Sequence, residues 1–331
     1  MKNITIFCIA TLLVCGGSGL AADFTKTGSV GAQFLKIGVG SRYQGLAEAS
    51  VAVVDDAYSL YWNPAGLANI EGTQISFTNV NWVTDVSLNY IGIGTYVEGV
   101  GAIGFSGSLL SMGEMEVTTV DEREGTGEMF SASSFALTAG YARFLTNRLA
   151  FGASIKYIYE KIYRESAGGF AFDFGTQLHT GFRSLRIGMN ISNLGPELEF
   201  SGPDLNVTVP AEGSASTSGN IDVDAYDLPL TFRLGMAFDM LNNMDNRWTL
   251  AVEAKHPNDN DQQASMGTEY CFQQKYFLRG GYKFNYDEQG LTLGGGLRAP
   301  LGERNVLVLD YAWSDFGRLE SVHRFSLGFQ F

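Results

Sequence analysis

The chain has 331 residues, of which 41 are glycine, with 13% aromatic and only 17% charged side chains. Soluble domains carry about 25% charged residues and helical membrane proteins need spans of ~20 apolar residues, whereas mean hydropathy here is near zero. The net charge of −13 lacks the basic footprint that nucleic acid requires, which excludes it as a partner.

Residues 1–22 read as a cleaved secretory signal. Lys2 supplies the positive start, Ile4 to Val14 is an apolar run too short to span a bilayer, and Gly19-Leu20-Ala21-Ala22 offers small residues for cleavage. Val14 is too bulky to make Cys15 a good lipoprotein site. Cys8 and Cys15 leave with the signal, so only Cys271 remains and neither a disulfide framework nor a metal cluster is expected.

Residues 23–71 are rich in Gly and Ala and lack a repeating pattern, with candidate helical turns at Arg42–Ser50 and Asp56–Trp62. A compact piece ahead of a barrel most simply sits inside it as a plug. Asn63 can cap a turn and Pro64 fixes φ for it. Gly66 permits close backbone approach. Arg42 needs Asp55, Asp56 or a wall carboxylate, because an unpaired charge there is costly.

From residue 72 to 331 the chain runs in segments of about ten residues with period-two alternation, as a barrel strand requires. In residues 230–238 one face is Leu, Phe, Leu, Met, Phe and the other Thr, Arg, Gly, Ala. Strands are predicted near 73–82, 86–97, 100–111, 129–143, 147–162, 169–180, 184–192, 228–240, 246–256, 265–274, 275–285, 290–299, 304–314 and 321–331. The polar face carries Lys156, Asp173, Arg233, Glu253, Arg279 and Lys283, while Trp82, Tyr96, Tyr141, Tyr159, Tyr163, Tyr282 and Trp313 fit interfacial girdles. The two longest gaps, 112–128 and 193–227, both follow odd-numbered strands, and gaps after even strands are short. That is the asymmetry of external loops and periplasmic turns. The fold class is therefore an all-β membrane protein: an antiparallel transmembrane barrel of about fourteen strands with a small N-terminal helical and loop plug, set in outer-membrane lipid.

The last strand places Phe325, Leu327, Phe329 and Phe331 on one face and ends on an aromatic residue. It resembles the β-signal read by the outer-membrane barrel assembly machinery, an edge strand recognised by pairing and by its apolar face.

The run from Gly40 to Leu67, ending Trp62-Asn63-Pro64-Ala65-Gly66-Leu67, resembles the N-terminal signature of the PorV/PorQ family within the FadL-like barrels. Ser192-Asn193-Leu194-Gly195-Pro196 and Leu228-Pro229 extend the resemblance over most of the mature chain. Ala47 departs from the glycine often found there. The resemblance marks Arg42, Gly45, Asp55, Asp56, Trp62, Asn63, Pro64, Ala65, Gly66 and Leu67 as plug-anchoring residues, with direct ligand contact as the sharper alternative.

Signs of catalysis are lacking. His179, His256 and His323 stand apart, and neither GxSxG nor a Walker A run occurs. Gly99 to Gly104 fits GxGxxG but enters a strand rather than a helix. Asp259-Asn260-Asp261 and Asp222-Val223-Asp224 are acidic pairs without EF-hand spacing. No enzyme activity, cofactor or metal is expected. What the resemblance implies is a type IX-like secretion component that binds cargo C-terminal domains or a translocon through its lumen mouth and external loops. The alternative is a FadL-like transporter of hydrophobic small molecules such as long-chain fatty acids, with a wall opening permitted by Gly92, Gly94, Gly101, Gly104 and Gly107. A porin of no particular substrate ranks third.

Overall fold

The alternation resolves into fourteen antiparallel strands: β1 (Thr73–Asn81), β2 (Ser87–Val97), β3 (Gly101–Ser111), β4 (Ala132–Phe144), β5 (Leu149–Ile162), β6 (Glu165–His179), β7 (Arg186–Leu194), β8 (Thr231–Asn242), β9 (Asn246–Pro257), β10 (Gln263–Phe272), β11 (Tyr276–Phe284), β12 (Leu291–Leu301), β13 (Asn305–Asp315) and β14 (Ser321–Gln330). The computed structural model describes residues 28–84, 86–209, 217–302 and 304–331, so the signal at 1–22 lies outside the described residues. Each strand pairs with its sequence neighbours. β1 then closes on β14, from Gln74 opposite Gln330 to Asn81 opposite His323. Closure leaves no unpaired edge, which is the condition for a sheet to stand in hydrocarbon.

Outward positions carry Phe105, Leu137, Phe172, Leu234, Leu278 and Leu327, all exposed to the lipid side. Inward positions are small or charged, as in β9, where Thr249, Glu253 and Lys255 are buried. No helix among the described residues is long and apolar enough to cross a membrane. The longest connections, between β3 and β4 and between β7 and β8, emerge at one end. Each carries its own short ribbon: Met115–Glu116 with Met129–Phe130, and Asn206–Val209 with Thr217–Asn220. The barrel is an outer-membrane protein, and this is its external end.

Several boundaries differ from expectation. β4 starts at Ala132, because Met129 and Phe130 pair within the loop ribbon. β6 starts at Glu165 rather than 169, since β5 and β6 meet in a tight hairpin at Tyr163-Arg164, with Tyr163 left-handed at φ 55°. β8 starts at Thr231, after Pro229. The turn between β10 and β11 is centred on Gln273-Gln274, both left-handed (φ 52° and 55°). This is the backbone pattern a two-residue hairpin favours. Two aromatics are not lipid-girdle residues. Trp82 packs edge-on against Phe316 at 5.1 Å at the outer end of the lumen. Tyr96 shares parity with Gly92 and Gly94, which face the interior.

Residues 30–71 fill the lumen. Helix α1 (Ser41–Gly45), helix α2 (Ser59–Trp62) and 3₁₀ turns at Gln33–Lys36 and Pro64–Asn69 are its regular elements. Both helices are shorter than the predicted Arg42–Ser50 and Asp56–Trp62. The first stops because Ala47 and Glu48 both turn left-handed (φ 54° and 67°). This conformation costs an L-residue roughly 1–2 kcal/mol.

Candidate functional site

The hatch meets the wall in two chemically different ways. Towards β2–β7 it is held by shape. Leu60, Ala65, Leu67, Ala68 and Ile70 form a buried apolar cluster with Ala102, Ala142 and Ala150 of the wall. Wall glycines make room for it. A Cβ on Gly104 would meet Leu60 at 3.1 Å and Leu67 at 3.3 Å, and one on Gly152 would overlap the backbone of Pro64 and Ala65. Asn63 organises this face. Its side chain accepts from Ala65 N at 3.1 Å, capping the 3₁₀ turn that Pro64 begins, and donates to Val51 O at 2.8 Å and Thr176 O at 3.1 Å. Gly66 packs so closely that a Cβ would lie 2.5 Å from Val54 O.

Towards β8–β14 glycines again admit the hatch, Gly235 against Val51, Gly267 against Leu46 and Gly281 against Ala47, and charge is added in two tiers. In the periplasmic tier, Arg42 donates to Asp55 Oδ1 at 2.6 Å and to Glu269 of β10 at 3.1 Å. Glu269 also takes Arg279 at 2.7 Å, and Arg279 reaches Asp310 at 2.5 Å. Gly45 closes the tier by bringing α1 to within 3.2 Å of Gly294 as measured from an added Cβ. Tyr43 donates its hydroxyl to Asp56 at 2.7 Å. Burial first, and the neighbouring Asp55 charge second, push the Asp56 carboxyl up to about 7. In the outer tier, Glu48 accepts from Lys283 at 2.7 Å and faces Arg233 at 3.9 Å. Burial alone would raise the Glu48 carboxyl. Lys283, Lys255 and Arg233 outweigh it and hold the group below the usual carboxylate range. Glu253 pairs with Arg233 at 2.9 Å, and its other oxygen takes the backbone N–H groups of Ser50 and Val51 at 2.8 and 2.9 Å. Trp62 lies between these tiers and the apolar face, with Nε1 donating to Val39 O at 2.9 Å and Arg233 over its ring at 4.9 Å.

A cavity of about 310 Å³ lies beneath the hatch, lined by Arg42, Asp55, Asp56, Arg279, Arg298 and Asp310 among others. It is a vestibule of mixed lining at the periplasmic end, where these charged groups stand beside Val53, Ile75, Phe277 and Phe329. At the other end the hatch joins the longest loop. Gly31 N donates to Asp227 O at 3.1 Å, and Tyr226 donates to Glu160, which also accepts from Ala32 N. Lys36 pairs at 2.8 Å with Asp259, which is buried. Asp259 is thus a contact of the hatch.

The structure brings the ten signature residues into one body but splits them between the faces. Asn63, Pro64, Ala65, Gly66 and Leu67 stand on the apolar face, Arg42, Gly45, Asp55 and Asp56 on the charged one, and Trp62 between. Sequence reasoning missed Ser41, Tyr43 and Glu48 in the hatch, and Glu269, Asp310 and Arg324 in the wall. The wall residues share the inward parity of their strands, which was the available signal. The strand glycines do not mark a break. β2, β3 and β4 keep unbroken register along Ser87–Val97 and Ala102–Ser111, and Gly92, Gly94 and Gly104 are occupied by hatch atoms. Phe325 and Leu327 face lipid, and Phe331 extends the seam by exchanging backbone hydrogen bonds of 2.9 and 3.0 Å with Thr73.

A family model described as "Type IX secretion system protein PorV" matches residues 21–257. No curated protein matches by sequence. The fold is shared with solved outer-membrane structures. The CymD monoaromatic hydrocarbon channel aligns with TM-score 0.57 at 11% identity, covering 89% of this chain and 97% of that one. The Ralstonia pickettii toluene transporter TbuX aligns at 0.55 and 12%, covering 88% and 98%. A Pseudomonas aeruginosa FadL homologue aligns at 0.52 and 11%, covering 88% and 98%. At such identities the likeness is one of fold alone.

Proposed function

The chain belongs to the PorV family of type IX secretion system proteins, and from that premise we propose that it is a docking barrel for protein secretion, with its outer mouth as the binding face. On this reading residues 1–22 deliver the chain as an export signal, residues 23–71 are a fixed hatch, and residues 72–331 are the barrel. Arg42, Gly45, Asp55, Asp56 and Trp62 to Leu67 anchor the hatch rather than contact a ligand. The loops at 112–131 and 195–230 offer the surface for a cargo C-terminal domain or a translocon.

One observation carries this reading. The hatch is bonded to the wall on both faces and laced into the longest outer loop at Gly31 and Asp227, so it supports the mouth from below. Passage of a hydrophobic compound, as in the transporters of similar fold, asks instead for a hatch that moves or a wall that opens. The continuous ladders of β2–β4 weigh against that route. Capture of the tagged protein from outer-membrane extracts tests the proposal. Co-purification of a translocon or of cargo C-terminal domains, lost when the loop at 195–230 is replaced by a short turn, is the expected result. A bound hydrophobic small molecule with no protein partner would overturn it in favour of transport.

A further inference from the structure

The outer charged tier does not balance. Four cations, Arg233, Lys255, Lys283 and Arg324, are buried there, with exposures of 7%, 7%, 2% and 1%. Among the described residues two carboxylates answer them, Glu48 and Glu253, and both are already engaged. Glu48 takes Lys283 and Gln44, and Glu253 takes Arg233 and two backbone N–H groups. Arg324 is left with neutral acceptors, Gly38 O at 3.3 Å and Ser314 Oγ at 3.1 Å, and with the rings of Trp82 and Phe316.

Lys255 has less. Among the described residues no carboxylate or other acceptor lies within bonding distance of its ammonium, and its one recorded contact is the ring of Tyr286 at 5.4 Å. Lys283 faces the same ring at 5.2 Å. Gln263, directly opposite in the β9–β10 ladder, is neutral, and its buried Oε1 lacks a donor. Glu48 lies near enough to feel the Lys255 charge but makes its bonds elsewhere. A buried ammonium without a bonded counter-charge is strongly disfavoured, and the nearby charges of Arg233, Lys283 and Lys36 raise that cost.

We infer that Lys255 is the anchor of an anion site in the outer half of the lumen, taking a single carboxylate or phosphate group. Tyr286 belongs to the external turn between β11 and β12, so the site lies just below the outer mouth. The anion would complete three things at once: the ammonium of Lys255, the field of Arg233 and Lys283, and the charge balance of the tier. The inference concerns the lumen and does not depend on which partner docks on the loops.

The test uses the full-length protein in detergent at constant ionic strength, with inorganic phosphate and acetate titrated separately against chloride. A ligand that binds only the folded state raises the unfolding midpoint with the logarithm of its concentration. The wild type is expected to gain a few degrees with one anion or both, and the more effective one identifies the group. Lys255→Met is expected to lose that gain and, without added anion, to be at least as stable as the wild type, because an isolated buried charge has been removed. Lys255→Arg is expected to keep the response. If neither anion shifts the wild type, or if Lys255→Met responds equally, the site does not exist. If Lys255→Met is simply less stable under all conditions, Lys255 is an internal structural partner instead.

Discussion

The two faces of the hatch are held to the same wall by different balances of shape and charge. On the β2–β7 side the wall gives up its side chains. Gly94, Gly104, Gly140, Gly152 and Gly175 let Leu60, Asn63, Pro64, Leu67 and Ile70 reach the sheet. On the β8–β14 side Gly235, Gly267 and Gly281 admit Val51, Leu46 and Ala47 in the same way, but there the wall also extends Glu253, Glu269 and Lys283 to meet Arg42, Glu48 and the N–H groups of Ser50 and Val51. Shape complementarity spreads its energy over many contacts, each small. Buried ion pairs concentrate it, since losing one partner strands the other in a low dielectric. The charged face should therefore be sensitive to single side chains, and the glycine face to added volume.

The sharpest way to break this contrast is at Glu48. Glu48→Ala leaves Lys283 without its carboxylate, and loss of one partner of a buried pair costs about 3–5 kcal/mol. Amide hydrogen exchange at Ser50 and Val51 should accelerate accordingly, while Glu48→Gln, which keeps an acceptor for Lys283, should recover part of the loss. The next largest effect belongs to the other face. Gly152→Ala forces the backbone at Pro64 to retreat, an overpacking cost of typically 1–3 kcal/mol, read as faster exchange at Ala65 and Gly66. If Glu48→Ala were the milder change, the division into charge and shape would be wrong.

The barrel was legible because its period is strict. A lipid face tolerates little but apolar side chains, so Phe232, Leu234, Met236 and Phe238 announce a strand without any tertiary knowledge. The seam was legible for the same reason at Phe325, Leu327, Phe329 and Phe331. Boundaries slipped where loops have structure of their own, as at Met129 and Phe130, or where a turn uses left-handed glutamines instead of glycine, as at Gln273 and Gln274. The hatch was legible only in part. The local chemistry of Asn63 and Pro64 names a cap before any fold is known. Pairing of Glu48 with Lys283, 235 residues apart in sequence, is set by where the hatch rests in the barrel, and no local pattern encodes it. The glycines of β2 and β3 show the same limit. Sequence presents them as equally fit for a wall opening or for close packing, and only the position of Leu60, Leu67 and Ile70 decides between these.

A locked hatch tests the central claim most directly. Ser41 Oγ and Ser326 Oγ stand 2.9 Å apart across the boundary between α1 and β14, close enough for a Ser41→Cys/Ser326→Cys pair to approach disulfide geometry. Once oxidised, the pair ties hatch to wall, and cargo attachment at the cell surface is then compared under oxidising and reducing conditions. A fixed hatch predicts the same attachment in both states as in the wild type. Loss of attachment on oxidation, restored by reductant, would show that the hatch must move and would contradict the account.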